Sequence, residues 1–113
     1  MLERWEKPPK QQRKVTKTVD VAYVLPRPTK GSVLKEEVWQ TEDGQVVRYS
    51  LAYINHRACG VDNGRVLGYD NSHGYHHRHF MGTVEPMEFD TYEALHDRFQ
   101  AEIFELWKEE ETI

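Results

Sequence analysis

The stretch GYDNSHGYHHRHF, residues 68–80, gathers His73, His76, His77 and His79, four of the six histidines in the chain. Imidazole titrates near pH 6.5, so clustered histidines suit proton transfer, and they are also common metal ligands. If the segment is extended, His73, Tyr75, His77 and His79 share one face, and Gly74, His76, Arg78 and Phe80 share the other. His77 and His79 then stand roughly 6–7 Å apart along the strand, a spacing at which two rings can flank one phosphate. The same alternation turns Arg78 away from that pair. Arg48 or Arg65, on neighbouring strands, would be better placed to supply a cation.

A metal is the competing chemistry, with Asp70 or His73 as a third ligand beside His77 and His79. The His-x-His spacing lacks the helical HExxH context or a CxxC partner that makes zinc specific. Cys59 is the single cysteine. Without a convincing fourth ligand, the expectation is no metal and no cofactor. A metal-dependent hydrolase built on Asp70, His73, His77 and His79 stays as an alternative. The bland reading is a loop whose histidines pair with carboxylates such as Asp70 and Glu85. His56 and His96 lie outside the cluster, the first in a turn and the second beside a helix stripe.

The elements that must position these residues follow from periodicity. TVDVAYVL (18–25) alternates Val19, Val21, Tyr23 and Leu25 and predicts a strand. VLKEEVWQ (33–40) predicts another. Asp43-Gly44 then favours a hairpin into VVRYSLAYIN (46–55). Asn63-Gly64 leads into RVLGYD (65–70), and TVEPMEF (83–89) reads as a last strand. Pro86 has no amide hydrogen for a ladder, which places that strand at an edge or on a bulge. At Asp90 the period changes from 2 to 3.6. Tyr92, Leu95, Phe99, Ile103, Leu106 and Trp107 form one helical stripe, with Asp90 as N-cap and Glu93 completing a capping box. The predicted fold is α+β, an antiparallel sheet of four to five strands with the C-terminal helix packed on one face. Trp39, Tyr49, Leu51, Tyr53, Val66 and Leu67 are the expected partners of the stripe.

A chain of 113 residues suits a single domain. Residues 1–17 read as a basic, mobile lead-in broken by Pro8 and Pro9, and residues 18–113 as the α+β domain. Hydrophobic residues make up 38% and charged residues 30%, a soluble profile with no apolar run long enough for a membrane. No secretory signal is recognisable, and one cysteine excludes an internal disulfide, so the expected location is the cytoplasm. The net charge of −4 conceals an asymmetry. Residues 1–30 carry eight Lys/Arg against three Asp/Glu, and residues 81–113 carry two against ten. The basic end could face phosphate or an acidic partner.

RYSLAYI (48–54), RVLGYDN (65–71), HHRH (76–79) and VEPMEF (84–89), with the helix after them, resemble the TumE-like family of toxin–antitoxin proteins. The family pattern is a strand ending in Tyr-Asp-Asn, a Gly/His-rich loop ending in His-x-His, and a Glu-Pro that leads to an aromatic residue. It carries over to Tyr69, Asp70, Asn71, His77, Arg78, His79, Glu85 and Pro86. The resemblance covers about half the chain and leaves the basic lead-in outside. It implies a toxin held by a cognate helix-turn-helix antitoxin, with RNA as the proposed substrate. On that reading one of His77 and His79 takes the proton from the ribose 2′-OH and the other protonates the leaving 5′-oxygen. Asp70 orients a histidine, and Tyr69 or Tyr75 stacks a base or donates a hydrogen bond. Arg48, Arg65, Arg78, Tyr75 and His73 line the substrate. A homodimer stays open, as does a non-catalytic module that binds nucleic acid or protein.

Overall fold

In the computed structural model, residues 14–111 are described. The first 13 residues of the basic lead-in lie outside them. Six strands form one sheet in chain order, every neighbouring pair antiparallel. They are β1 (Val15–Leu25), β2 (Ser32–Thr41), β3 (Val46–Ile54), β4 (Arg65–Asp70), β5 (His77–Phe80) and β6 (Thr83–Pro86). The helix α1 (Tyr92–Glu111) follows. The chain is therefore α+β, with six strands where four to five were expected. β5 is only four residues long, too short for alternation to declare it. β1 begins at Val15, so Lys17 already lies in the sheet.

Turn chemistry sets the register. Between β2 and β3, Gly44 takes φ +87° and its amide donates to Thr41 O at 3.0 Å. Phe80 pairs with Thr83, leaving Met81 and Gly82 as a two-residue turn with φ +50° and +88°. Positive φ at both positions is the type I′ geometry whose twist matches an antiparallel pair. Pro86 ends β6, which is an edge strand as the missing amide requires.

One face of the sheet carries the core. Tyr49, Leu51 and Tyr53 on β3 and Leu67 and Tyr69 on β4 pack with Leu95, Phe99 and Ile103 of α1, all at most 5% exposed. Burying a side chain of this size contributes about 1.5–3 kcal/mol. Leu106 and Trp107 border this cluster half-buried. Trp39 departs from expectation. It neighbours Val38, which is buried, and alternation lets only one of the two face the helix. Its ring instead sits under the Lys17 ammonium at 5.0 Å and the Arg48 guanidinium at 4.7 Å.

The start of α1 also differs. Thr91 is the cap, its Oγ1 accepting from the Ala94 amide at 3.1 Å. Asp90 lies one residue too early, and Glu93 therefore falls a position short of the capping-box site.

Candidate active site

The site lies on the sheet face opposite α1. Directly paired residues point the same way, so the register builds it in rows. Ser50, Asp70, His77 and Pro86 form one row across β3 to β6. Ala52, Gly68, His79 and Val84 form the next. The two histidines and the aspartate thus meet side by side, at 3%, 8% and 9% exposure for His77, His79 and Asp70.

Asp70 is the hub. Its Oδ1 accepts from His77 Nε2 at 2.7 Å, and its Oδ2 accepts from His79 Nε2 at 3.0 Å. Ser72 donates twice to Oδ1, from its hydroxyl at 2.8 Å and its amide at 3.1 Å. Burial alone would raise the Asp70 carboxyl. The Ser72 hydrogen bonds, with the electrostatic pull of the neighbouring His77 and His79 rings, outweigh it and hold the group below its ordinary value. Asp70 is therefore a carboxylate at neutral pH. Asn71 anchors the loop after it, accepting from the Tyr49 amide at 3.1 Å and donating to Val47 O at 3.0 Å.

The two rings have different surroundings. His77 Nδ1 is 3.1 Å from Tyr75 O, so both of its nitrogens face acceptors, and a protonated ring donates from each. His79 Nδ1 is 3.0 Å from Nη2 of Arg65. A guanidinium only donates, so this Nδ1 presents a lone pair and the proton sits on Nε2, toward Asp70. Burial and then the Arg65 charge lower the His79 pKa, against the pull of Asp70. His79 is thus a neutral imidazole, with its Nε2–H on a carboxylate and its Nδ1 lone pair on Arg65.

Arg65 reaches this position through two local features. The β3–β4 register shifts between Tyr53 and Ile54, so Ile54 pairs with Arg65 and Val66 is the bulged residue. The bulge turns Arg65 to the same face as Gly68 and Asp70, two and four pairs away along the ladder. Its side chain then crosses Gly68, where an added Cβ would lie 2.7 Å from Arg65 Cδ. Asp62 holds the guanidinium from the far side, at 2.7 Å to Nε and 3.1 Å to Nη2. Gly68, Ser72 and Asp62 did not stand out in the sequence. The only signal for Gly68 was a glycine inside a strand, a mark of close approach.

The remaining predicted residues divide between the two faces. Tyr75 is 46% exposed, and its ring lies 4.6 Å from that of His77. His73 is exposed in the turn before it, at φ +62°. Arg48 shares the site face, two positions along β3 from Ser50, with its guanidinium over Trp39. Tyr69 and Arg78 point to the helix. Arg78 donates to Glu102 at 2.7 Å and to the Tyr69 hydroxyl at 3.1 Å, and Tyr69 donates to Glu102. Burial and then the Glu102 carboxylate push the Tyr69 hydroxyl up to about 12. Neither residue is brought to the imidazole pair. His76 also packs on the helix side, stacked on Phe89 at 4.0 Å with Nδ1 2.8 Å from the Tyr49 hydroxyl.

Asp70, His77 and His79 can each offer one ligand atom, all within 4.8 Å of one another. They form the group with metal-ligand geometry among the described residues. No described helix is long and apolar enough to cross a membrane.

The described residues thus set a histidine pair on one carboxylate, on a meander sheet with one covering helix. The family model described as Toxin TumE matches residues 6–107. The chain belongs to the TumE toxin family, and the match takes in most of the basic lead-in that the resemblance had left outside. A search of curated proteins finds no match to the chain, and neither does a search of solved structures. Membership supports a toxin role, and a toxin of this kind has an antitoxin partner.

Proposed function

We propose that the protein is the toxin of a type II toxin–antitoxin pair and cleaves RNA without a metal, through His79, His77 and Asp70. The observation that carries this reading is the His79 ring, with Nε2–H on the Asp70 carboxylate and an Nδ1 lone pair facing Arg65. Asp70 stabilises the charge that develops on an imidazole so held, and the departure of Arg65 removes a charge that opposes it. When RNA binds, the Arg65 guanidinium leaves Nδ1 for the phosphate. Nδ1 then removes the proton from a ribose 2′-OH. The 2′-oxygen attacks phosphorus, and Arg65 stabilises the charge that builds on the phosphoryl oxygens. The P–O5′ bond breaks, and the departing oxygen takes the Nδ1 proton of His77, which a neutral carbonyl, Tyr75 O, otherwise holds. The products are a 2′,3′-cyclic phosphate and a 5′-hydroxyl. Each acid or base step contributes about 10²–10⁴-fold. Tyr75 offers an exposed ring for a base, and Arg48 and His73 border the path of the strand. The partner of this reading is a helix-turn-helix antitoxin.

A second reading has one observation in its favour. All four ring nitrogens of the pair already have partners, as in a satisfied structural network. The protein would then bind nucleic acid or protein without cutting it. Induced expression of wild type, His77→Ala and His79→Ala separates the two. The catalytic reading expects growth arrest by wild type and relief by either variant, with circular dichroism confirming that the variants fold. Arrest by folded variants at wild-type strength would favour the binding module.

A further inference from the structure

We infer that Asp70, His77 and His79 also form a three-ligand site for one zinc-class divalent cation, and that its binding silences proton transfer at His79. The silencing rests on the proposed function, and the binding does not. The Asp70 carboxylate already spans both imidazoles, one oxygen to each, at close to ligand spacing, because a metal bound at about 2.0–2.2 Å to each ligand sets neighbouring ligand atoms roughly 3–3.5 Å apart. Asp70 oxygens stand 2.7 Å from His77 Nε2 and 3.0 Å from His79 Nε2. All three ligand atoms lie within 4.8 Å, so closing on a cation requires small side-chain shifts.

At His77 and Asp70 the groups behind the ligands suit a metal, while at His79 the Arg65 guanidinium, 3.0 Å from Nδ1, must swing away. A ligating imidazole normally donates its second N–H to a carbonyl or carboxylate. Tyr75 O already faces His77 Nδ1 at 3.1 Å, and Asp62 Oδ2 lies 3.9 Å from His79 Nδ1. Ser72 steadies the third ligand with two hydrogen bonds. Two imidazoles and one carboxylate suit zinc, cobalt or nickel better than magnesium or calcium, which prefer all-oxygen sites. Three protein ligands leave a position for water.

Binding must rearrange the protons. His77 loses any proton on Nε2 to solvent. The His79 proton is exchanged through solvent from Nε2 to Nδ1, where Asp62 can accept its hydrogen bond. Nδ1 then has no lone pair for a 2′-OH. The base of the proposed reaction disappears, while the fold that carries it is unchanged.

The test is calorimetric titration of the untagged full chain with Zn²⁺, alongside Co²⁺ absorption spectra. One ion per chain is expected in wild type and in His73→Ala, whose affinity should match it within about twofold. His79→Ala and Asp70→Asn should each bind about 100-fold or more weakly, as lost ligands outweigh the 10–100-fold effects of supporting groups. Should those variants fail to fold, Arg65→Met keeps all three ligands and removes a nearby cation, so it should bind about 10-fold more tightly. No stoichiometric binding, or binding indifferent to His79 and to Arg65, overturns the site. RNA cleavage is then followed in EDTA and with one equivalent of Zn²⁺. Loss of at least about 100-fold supports the silencing. Unchanged cleavage overturns it. Cleavage that requires Zn²⁺ overturns both the silencing and the metal-free reaction, while calorimetry still upholds the site. A wild type that cuts no RNA defeats the proposed function alone, because the calorimetric result decides the site by itself.

Discussion

Asp70 and His79 are joined through Nε2 at 3.0 Å, which commits the Nδ1 lone pair of the same ring to the Arg65 side, also at 3.0 Å. The carboxylate and the guanidinium hold opposite nitrogens of the imidazole across β4 and β5, and Arg65 Nη1 also lies 3.7 Å from Asp70 Oδ2. The chemistry proposed for the protein depends on that arrangement, and the predictions for Gly68 and Arg65 test it.

Gly68 is the crossing point for Arg65. In Gly68→Ala the new Cβ meets Arg65 Cδ at 2.7 Å and Leu51 O at 3.2 Å. The expected result is a loss of stability of about 1–3 kcal/mol and displacement of Arg65 from His79. RNA cleavage should fall about as far as in Arg65→Met, and the double variant should be little worse than either single one. Rates from the three variants check this. Additive losses would mean that Gly68 acts on something other than Arg65.

Arg65 and Arg78 should separate by phenotype. Arg65→Met should lower cleavage about 10²-fold or more with modest change in stability. Arg78→Met leaves Glu102 without its 2.7 Å partner on the helix side. It should cost about 1–3 kcal/mol in urea unfolding and leave the rate per folded molecule near wild type. Cleavage lost in folded Arg78→Met would place that guanidinium in the reaction.

The helix cap provides a test within one turn. Thr91→Ala removes the oxygen that accepts from the Ala94 amide and should cost about 1 kcal/mol. Asp90→Ala should stay within about 0.5 kcal/mol of wild type. Thermal or urea unfolding of the two variants should give that ranking, and the reverse ranking would return the cap to Asp90.

Ile103→Ala and Phe99→Ala probe the opposite face from the site. Both side chains are at most 5% exposed against the sheet. Losses of about 2–5 and 3–5 kcal/mol are expected from denaturant unfolding. Values below about 1 kcal/mol would mean that α1 does not cover the sheet in solution.

What could be read from the sequence tracks how local each signal is. Alternation declared β1 and β3 and the apolar stripe declared α1, because each repeats over eight or more residues, while β2 and β4 were legible from the Asp-Gly and Asn-Gly turns beside them. β5 escaped because four residues carry too few repeats, and its turn is Met-Gly rather than Asn-Gly. The cap moved by one residue because Asp90 and Thr91 are both good cap residues, and only tertiary packing chooses between them. Alternation also separated Arg78 from the histidine pair, and it would have separated Tyr69 from Asp70 by the same reasoning. It did not reveal that Asp70 meets both imidazoles. That depends on the β4–β5 register, which pairs Asp70 with His77 and Gly68 with His79. The path of Arg65 depends on a bulge one strand away, and no pattern in RVLGYD records it.

The most direct measurement of the central claim is end-group analysis of RNA cut in excess EDTA by wild type and by His79→Ala. The folding of both proteins is checked by circular dichroism. The account predicts 2′,3′-cyclic phosphate and 5′-hydroxyl ends from wild type, and a rate lower by about 10²–10⁴-fold in folded His79→Ala. Equal rates from the two proteins, or 5′-phosphate ends from wild type, would contradict it.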